Sequence, residues 1–268
     1  MTKIALSVIC YNNETEILEF AQKLSRQKFH EEITLLVTCN GCENPVGLQN
    51  RLKKIKENTY VYTPEKNIGY LPGCLYGLSC YTESYSWAIV SNTDIDFVTD
   101  DFFEVFLETK YINDVSCVGP DVMLATTGMH QNPFAQSRPS RRIMRFRRWI
   151  FSNYGRFVLY NWLSSVKKKL IRTSEGYVQS GLVYGVHGSF IILKKQCISD
   201  LIIDKTPIFM YGEELYIAEK LREKNLLTYY DAQLKIIHNE NQTTGKVNDR
   251  RKQKWFEQSV DFLVKKYW

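Results

Sequence analysis

Apolar residues at the start of the chain follow first a strand pattern and then a helical one. Residues 3–11 are nearly all apolar, which predicts a strand buried on both faces. The next apolar residues share one helical face: Ile17, Phe20, Ala21 and Leu24. Asn13, with Glu16 three residues later, predicts the N-terminus of that helix. A strand followed by a helix is the repeating unit of a parallel α/β sheet.

The same alternation continues to residue 91. Further strands are predicted at 33–38, 59–63 and 86–91, and helices at 44–57 and 70–83. In the second half, strands are predicted at 115–124, 184–193, 226–231 and 235–238, and helices at 212–224 and 249–266. The predicted fold class is therefore α/β, with a mostly parallel central sheet flanked by helices.

Positive charge is concentrated in one segment of the chain. The net charge of the 268 residues is +6, but residues 138–172 contain 11 Lys or Arg and no Asp or Glu. The rest of the chain holds 24 basic residues against 29 acidic ones. This distribution favours a local anionic partner over general binding to polyanions. Because aromatic residues are interleaved with the arginines, the segment is predicted to bind an anionic membrane surface.

The cysteines and the N-terminus suggest a cytoplasmic protein. The seven cysteines are odd in number and scattered, so we expect them to be reduced and in or near the core. Cys39 and Cys42 form a C-x-x-C without a second pair, which we interpret as a turn and not a zinc site. The first apolar run is too short for a signal peptide, and no stretch is long enough to span a membrane. The predicted location is the cytoplasm, peripheral on the inner face of the cytoplasmic membrane.

Polar clusters follow the strands of the first half. They are Tyr11-Asn12-Asn13, Cys39-Asn40-Gly41, the segment before Asn67, and Ser91 to Asp96. In open α/β sheets, ligands bind at the carboxyl ends of the strands. We therefore expect all four clusters to lie on one rim of the sheet and to line a ligand site.

Asp94 and Asp96 lie two positions apart, directly after a predicted buried strand. Two carboxylates on a tight loop can hold Mg²⁺ or Mn²⁺ and bridge the ion to substrate phosphates. The alternative is that they cap the next turn. His238 closes an apolar strand and is usually a structural residue in such a place; it is a third ligand only if it lies near the aspartates.

Two further stretches carry candidate chemistry. Glu213 and Glu214 begin a predicted helix, where acidic residues stabilise the helix dipole, but one of them could also act as a general base. Residues 67–73 contain two glycines before a helix, and could bring a nucleotide close to the backbone. They match neither the dinucleotide-binding fingerprint nor the phosphate loop, which argues against a dehydrogenase or a phosphate-loop NTPase.

Five stretches in this order resemble the family 2 glycosyltransferases, which have the GT-A nucleotide-sugar fold. The similarity is greatest to the bacterial enzymes that build O-antigen, capsule and other surface polysaccharides. The stretches lie within about 1–125 and 180–245: S-V-I-C-Y-N-N, N-I-G-Y-L-P-G, T-D-I-D, G-V-H-G-S-F-I-I-L-K-K, and F-M-Y-G-E-E-L-Y-I-A-E-K-L followed by I-I-H.

The resemblance implies one GT-A domain over 1–268 with a basic aromatic helical insertion. Residues 1–100 would be the nucleotide-binding half, and residues 101–248 the acceptor-side half that includes the segment 138–172. Residues 249–268 would form a C-terminal helix.

The resemblance also implies an activity, which is inverting, metal-dependent transfer from a UDP- or dTDP-linked sugar. The acceptor would be a hydroxyl of a lipid-linked or growing glycan. Mn²⁺ or Mg²⁺ would be held by Asp94 and Asp96, with His238 as a candidate further ligand. Glu214 would be the catalytic base, with Glu213 as the other candidate. The nucleotide sugar would be bound by Tyr11, Asn12, Asn40, Asn67, Gly69, Thr93, Asp94, His187 and Gly188.

Two positions depart from the family pattern. Cys39 stands where the family usually has an Asp that contacts the base, so the identity of the base stays open. The acidic pair is Glu-Glu where Glu-Asp is usual, so the choice between Glu213 and Glu214 also stays open.

Two other classes of function compete with glycosyl transfer. One is a module that binds anionic surfaces or nucleic acid through residues 138–172, whose aromatic side chains could stack on bases. It leaves the first half of the chain unexplained. The other is a sugar nucleotidyltransferase, which we disfavour because no Gly/Arg/Lys-rich phosphate loop follows the first strand. The leading interpretation involves no nucleic acid.

Overall fold

The computed structural model describes residues 3–170, 179–203, 206–239 and 248–268. Its strands are β1 Ile4–Cys10, β2 Ile33–Cys39, β3 Thr59–Tyr62, β4 Trp87–Ser91, β5 Ile95–Phe97, β6 Val115–Leu124, β7 Gly181–Val183, β8 Phe190–Lys194 and β9 Leu227–His238. Its helices are α1 Glu14–Ser25, α2 Pro45–Ile55, α3 Tyr70–Cys80, α4 Phe102–Glu108, α5 Arg141–Phe151, α6 Tyr154–Leu170, α7 Lys195–Ile203, α8 Glu213–Glu223 and α9 Asp249–Tyr267.

The first half forms the parallel sheet that the sequence predicts. β1 pairs in parallel with β2 and with β4, and β2 pairs in parallel with β3. In this register Cys10 is the partner of Cys39, so β1 and β2 end side by side. β2 is buried along its whole length, as its continuous apolar sequence predicts for a strand covered on both faces.

The second half makes the sheet mixed. β8 pairs antiparallel with β4 and β6, β6 pairs in parallel with β9, and β5 and β7 pair antiparallel with β9. The strand order is β3-β2-β1-β4-β8-β6-β9-β5, and β7 lies beside β9. The parallel arrangement therefore holds for the first half and not for the described sheet as a whole. Predicted strands 226–231 and 235–238 are one strand, β9, with a register shift opposite Pro120 and Asp121.

Residues 184–189 are not the strand that was predicted, which begins only at Phe190. The backbone N–H of His187 is taken by the side chain of Asn132, at 2.6 Å, and is not paired with a neighbouring strand. Val186 packs over Gly119, where an added Cβ would lie 2.4 Å from the Val186 side chain. The segment is therefore a fixed loop that carries its polar residues to the edge of the sheet.

Two apolar layers cover the two faces of the sheet. One contains α1, α2 and α4, through side chains such as Phe20, Leu52 and Phe103. The other contains α3, α7, α8 and α9, and α5 and α6 extend it through Met144 and Phe157. Full burial of one such side chain contributes about 1.5–3 kcal/mol. The described part of the predicted insertion forms the helices α5 and α6, as predicted, and residues 171 and 172 of that segment lie outside the described residues. None of the helices in the described part of the chain has the length and apolar character needed to cross a membrane.

Candidate active site

The site lies where several strands end at one edge of the sheet. β4 ends at Ser91, and the chain then passes through Asn92 and Asp94 into the short strand β5. β5 pairs antiparallel with the end of β9, and Ile95 is the partner of His238. This register brings His238 next to Asp94, although 144 positions separate them in the sequence.

Asp94 and His238 form a buried pair of possible ligands. Asp94 Oδ1 and His238 Nε2 are 3.4 Å apart, and their side chains are 11% and 5% exposed. Asp94 Oδ1 has no hydrogen-bond partner among the described residues. A buried carboxylate oxygen without a donor is costly unless a cation neutralises it. Carboxylate oxygen and imidazole nitrogen are both ligands of Mn²⁺, and the pair therefore fits a divalent metal.

Asp96 lies apart from this pair. Its two oxygens are engaged by Lys23 Nζ at 2.5 Å and by Asn239 Nδ2 at 2.7 Å. Burial alone would raise the pKa of Asp96, but the hydrogen bonds from Lys23 and Asn239 outweigh it and lower that pKa. The role of Asp96 as a metal ligand stays a prediction, and its contacts tie β5 to α1.

Glu213 and Glu214 face the same loop from the start of α8. An added Cβ at Gly188 would lie 2.9 Å from a carboxylate oxygen of each, so both side chains approach this glycine closely. The Gly188 N–H donates to Glu214 Oε1 at 3.3 Å. Tyr70 Oη donates to the Gly188 carbonyl at 2.8 Å. Both carboxylates thus lie against the backbone at Gly188.

The two glutamates differ in their surroundings. Glu213 is buried, and its Oε2 has no hydrogen-bond partner among the residues described. Burial, followed by the charge of Glu214, raises the pKa of Glu213 well above its ordinary value. Burial also raises the pKa of Glu214, but backbone N–H groups and the charge of Arg147 oppose that rise. Glu214 is also partly exposed.

His187 lies beside His238 and directly before Gly188, against which both glutamates lie. Its ring centroid is 5.7 Å from that of His238. Burial lowers the pKa of His187 to about 4. His187 is therefore neutral near pH 7, and its Nδ1 lies 2.9 Å from Ser189 Oγ.

Two of the predicted nucleotide-binding residues shape a turn with their side chains. The buried Asn40 donates to the Gly69 carbonyl at 2.8 Å, and Asn67 Oδ1 accepts from the Gly69 N–H at 2.9 Å. Gly69 has a φ of +91°, and an added Cβ would lie 2.1 Å from the Phe209 carbonyl oxygen. These residues therefore position α3 and Tyr70 at the edge of the sheet.

The remaining predicted donor-binding residues lie at the ends of β1 and β4. The Tyr11 side chain is 40% exposed, and its ring packs 3.5 Å from the Cβ position of Gly41. Asn12 is exposed and has a φ of 55°. Thr93 accepts from Asn13 Nδ2 at 3.2 Å, which ties the end of β4 to the start of α1. Asn13 is the N-cap residue of α1, as predicted, but its side chain makes no capping hydrogen bond to the helix.

Cys39 and Cys42 correct an expectation about the cysteines. They are joined by a disulfide, whereas we expected every cysteine to be reduced. Gly41, with a φ of +140°, makes the turn that brings their Cα atoms to 5.3 Å. The Cys10 thiol lies beside them, and burial raises its pKa to about 11.

Four residues of the site were not among the predicted site residues: Tyr70, Asn92, Gln131 and Arg147. Tyr70 lies within the stretch N-I-G-Y-L-P-G, and Asn92 lies within the polar cluster from Ser91 to Asp96. The sequence could therefore have indicated both residues. Gln131 contacts His238 across 107 positions, and Arg147 belongs to the basic segment. Only the folded chain brings these two to the site.

No family model matches the chain, and neither does any curated protein. Among solved structures, it is similar to the mannosyltransferase PcManGT from Pyrobaculum calidifontis in complex with GDP-Man and Mn²⁺. The TM-score is 0.57 and the identity 10%, and the match covers 90% of this chain and 58% of that protein. The chain thus spans little more than half of its neighbour. The similarity confirms the predicted fold, the nucleotide-sugar fold of glycosyltransferases.

Proposed function

We propose that this protein is an inverting, metal-dependent glycosyltransferase that uses a nucleotide-diphosphate sugar. The observation that carries the proposal is the arrangement around Gly188 and His187. The glutamates of α8 lie on one side, and Asp94 with His238 lies on the other, all at the ligand-binding edge of the sheet. The structural neighbour was solved with a nucleotide sugar and Mn²⁺, which supports the same class of chemistry.

In this proposal Asp94 and His238 hold Mn²⁺ or Mg²⁺, and Asp96 supports the loop or adds a further ligand. When bound, the ion neutralises the charge that builds on the leaving nucleotide diphosphate. His187 is neutral and partly buried, so it can lie near the transferred sugar without adding positive charge. Residues 1–100 would provide the nucleotide side of the site, and residues 101–248 the acceptor side.

Glu214 is the proposed general base. Its pKa is raised less strongly than that of Glu213, so Glu214 ionises first and Glu213 keeps its proton. The ionised carboxylate takes the proton of the acceptor hydroxyl as the hydroxyl oxygen attacks the anomeric carbon. A base whose pKa is raised towards neutrality suits this role.

The donor nucleotide is proposed to lie at the ends of β1 and β2. Tyr11 offers an exposed aromatic ring there, on which a base could stack. From the family resemblance we propose a UDP- or dTDP-linked sugar. Because the structural neighbour carries GDP-Man, a guanosine donor belongs in any test.

The acceptor is proposed to be a lipid-linked or growing surface glycan at a cytoplasmic membrane face. α5 and α6 expose a group of large apolar side chains: Ile143, Phe146, Trp149, Leu159, Trp162 and Leu163. The exposed arginines Arg141, Arg142 and Arg145 lie on α5. Apolar side chains beside cationic ones suit an interfacial helix on an anionic leaflet. From the family resemblance, the proposed glycan is a bacterial surface polysaccharide such as O-antigen or capsule.

The base assignment can be tested with two matched substitutions. Glu214→Gln keeps the size of the side chain and removes the base, so kcat should fall by about 10²–10⁴-fold. Glu213→Gln replaces a carboxyl that is already neutral, so kcat should change much less. Steady-state kinetics and nucleotide binding are measured for both variants. Reversed results would exchange the two roles, and no effect in either variant would refute this site for the base.

A further inference from the structure

His238 is contacted at both ring nitrogens by side-chain amides. Its Nδ1 lies 2.8 Å from Gln131 Oε1, and its Nε2 lies 3.2 Å from Asn92 Nδ2. An amide oxygen only accepts hydrogen bonds, and an amide nitrogen only donates them. The two contacts agree on one tautomer, with the hydrogen on Nδ1 and a lone pair on Nε2.

The Nε2 atom faces a second acceptor. Asp94 Oδ1 lies 3.4 Å away and receives no hydrogen bond within the described part of the chain. Two acceptors that face each other with no hydrogen between them repel, and a cation between them removes the repulsion. Adjacent ligands of an octahedral ion lie about 3 Å apart when the metal–ligand distances are near 2.1 Å. The observed separation is close to that spacing.

We propose that Gln131 is a positioning residue that fixes the Nδ1–H tautomer of His238. It thereby keeps the Nε2 lone pair directed towards Asp94 for a metal ion. The metal part of this inference rests on the proposed function, whereas the tautomer does not. A hydrogen-bond partner that orients a histidine ligand typically changes metal affinity by about 10–100-fold when it is removed.

The backbone around Gln131 is held firmly enough for this role. The Gln131 N–H donates to the Val122 carbonyl of β6 at 2.7 Å. On one side, His130 Nδ1 lies 2.6 Å from the buried carboxylate of Asp121. On the other side, the buried Asn132 donates to the Pro120 carbonyl at 2.7 Å. Residues 130–132 are therefore attached to β6 at every position, and the Gln131 side chain is the one that reaches His238.

The first test is spectroscopic and needs neither metal nor activity. The chain has 4 histidines, so ¹⁵N-histidine labelling gives a simple NMR spectrum of the ring nitrogens. For His238 we expect a protonated Nδ1 and an unprotonated Nε2. Gln131→Leu should lose this single tautomer, and Gln131→Glu, which keeps an acceptor, should retain it. A wild-type His238 with the hydrogen on Nε2 would overturn the inference.

The second test measures the binding of Mn²⁺ without donor or acceptor. EPR spectroscopy monitors the concentration of free Mn²⁺. We expect Gln131→Leu to bind Mn²⁺ about 10–100-fold more weakly than the wild type, and Gln131→Glu to restore binding. Gln136→Leu is the matched control, because Gln136 is exposed in the same segment. Unchanged affinity in Gln131→Leu would overturn the positioning role alone. Wild-type protein that binds no Mn²⁺ would overturn the metal-dependent function, and the NMR result would still decide the tautomer.

Discussion

Glu213 and Glu214 show how two neighbouring residues of the same type acquire different chemistry. Successive residues of a helix point about 100° apart, so the two side chains meet different surroundings although both reach Gly188. Glu213 is buried, and burial together with the charge of Glu214 raises its pKa well above the ordinary value. Glu214 lies in a recess where the Gly188 N–H and the charge of Arg147 favour its ionised form. The difference in environment, and not in residue type, is the reason we propose Glu214 as the base.

The raised pKa of Glu214 predicts the shape of the pH profile. Because the protonated form persists to a higher pH than for an ordinary glutamate, kcat should fall as the pH drops through this raised value. Arg147→Gln removes a positive charge that lowers the pKa of Glu214, so the acidic limb should move to higher pH. The measurement is kcat against pH for the wild type and the variant.

Arg145→Gln is the control for that experiment. It removes the same charge from an exposed position of α5 and should leave the acidic limb where it is. A limb that moves equally in both variants would indicate a general effect of net charge. A limb that moves to lower pH in Arg147→Gln would contradict the electrostatic argument.

At the scale of elements, the arginines in and just before α5 fall into two groups, those that pair with the rest of the domain and those that are exposed. Arg138, just before α5, donates to the buried Glu219 of α8 at 2.6 Å, and Arg148 pairs with Asp261 of α9 at 2.6 Å. These two residues attach the insertion to the domain. The exposed residues Arg142 and Arg145 have no such partner in the described structure, and they are available to an anionic surface.

Charge reversal on α5 tests the membrane proposal. In Arg142→Glu with Arg145→Glu, binding to anionic vesicles at low salt should weaken by at least ten-fold, since each basic residue near the leaflet contributes about 1 kcal/mol. Vesicle flotation measures the bound fraction. Lys53→Glu with Lys54→Glu reverses two exposed charges on α2 and should leave binding nearly unchanged. Equal loss in both variants, or equal binding of the wild type to neutral vesicles, would refute a specific surface on α5.

The elements that the sequence predicted well are those whose bounds depend on neighbouring residues in the chain. β2 and α2 end within two residues of their predicted bounds, because β2 is buried throughout and Asn44 caps α2 by accepting from the Gly47 N–H. Residues 184–189 have the composition of a strand, but Asn132 takes the His187 N–H and a loop results. That contact joins residues 55 positions apart, and no local pattern encodes it.

At the scale of the whole molecule, the site exists because one sheet gathers distant parts of the chain. The polar clusters after β1, β2 and β4 were predicted to meet, and parallel pairing places their ends on one edge. β9, which pairs in parallel with β6, ends at His238 on the same edge, where the short strand β5 pairs antiparallel with it. The position of His238 at this edge depends on the order of strands in the second half of the chain. That order could not be predicted from the periodicity of apolar residues. The motifs predicted candidate residues, whereas the distances between them required the folded chain.

The donor can be identified by the stability that it adds to the whole domain. A ligand that binds only the folded state at 100 times its Kd stabilises by about 2.7 kcal/mol, which raises Tm by roughly 5 °C for a chain of this size. We expect one nucleotide class among UDP-, dTDP- and GDP-sugars to give this shift in the presence of Mn²⁺. The proposal favours UDP or dTDP, and a shift with GDP-sugars alone would correct it. Thermal unfolding with each donor, with and without Mn²⁺, is the measurement.

Two aspartate variants separate the metal contribution in the same assay. Asp94→Asn removes the charge that faces His238, so the Mn²⁺-dependent part of the shift should be lost. Asp96→Asn breaks the contact with Lys23, which should lower Tm without donor but leave most of the Mn²⁺-dependent shift. If Asp96→Asn abolishes the shift and Asp94→Asn retains it, the metal ligand is Asp96. If both variants and the wild type respond to donor equally with and without Mn²⁺, donor binding does not require the metal and the pair at Asp94 and His238 has another role.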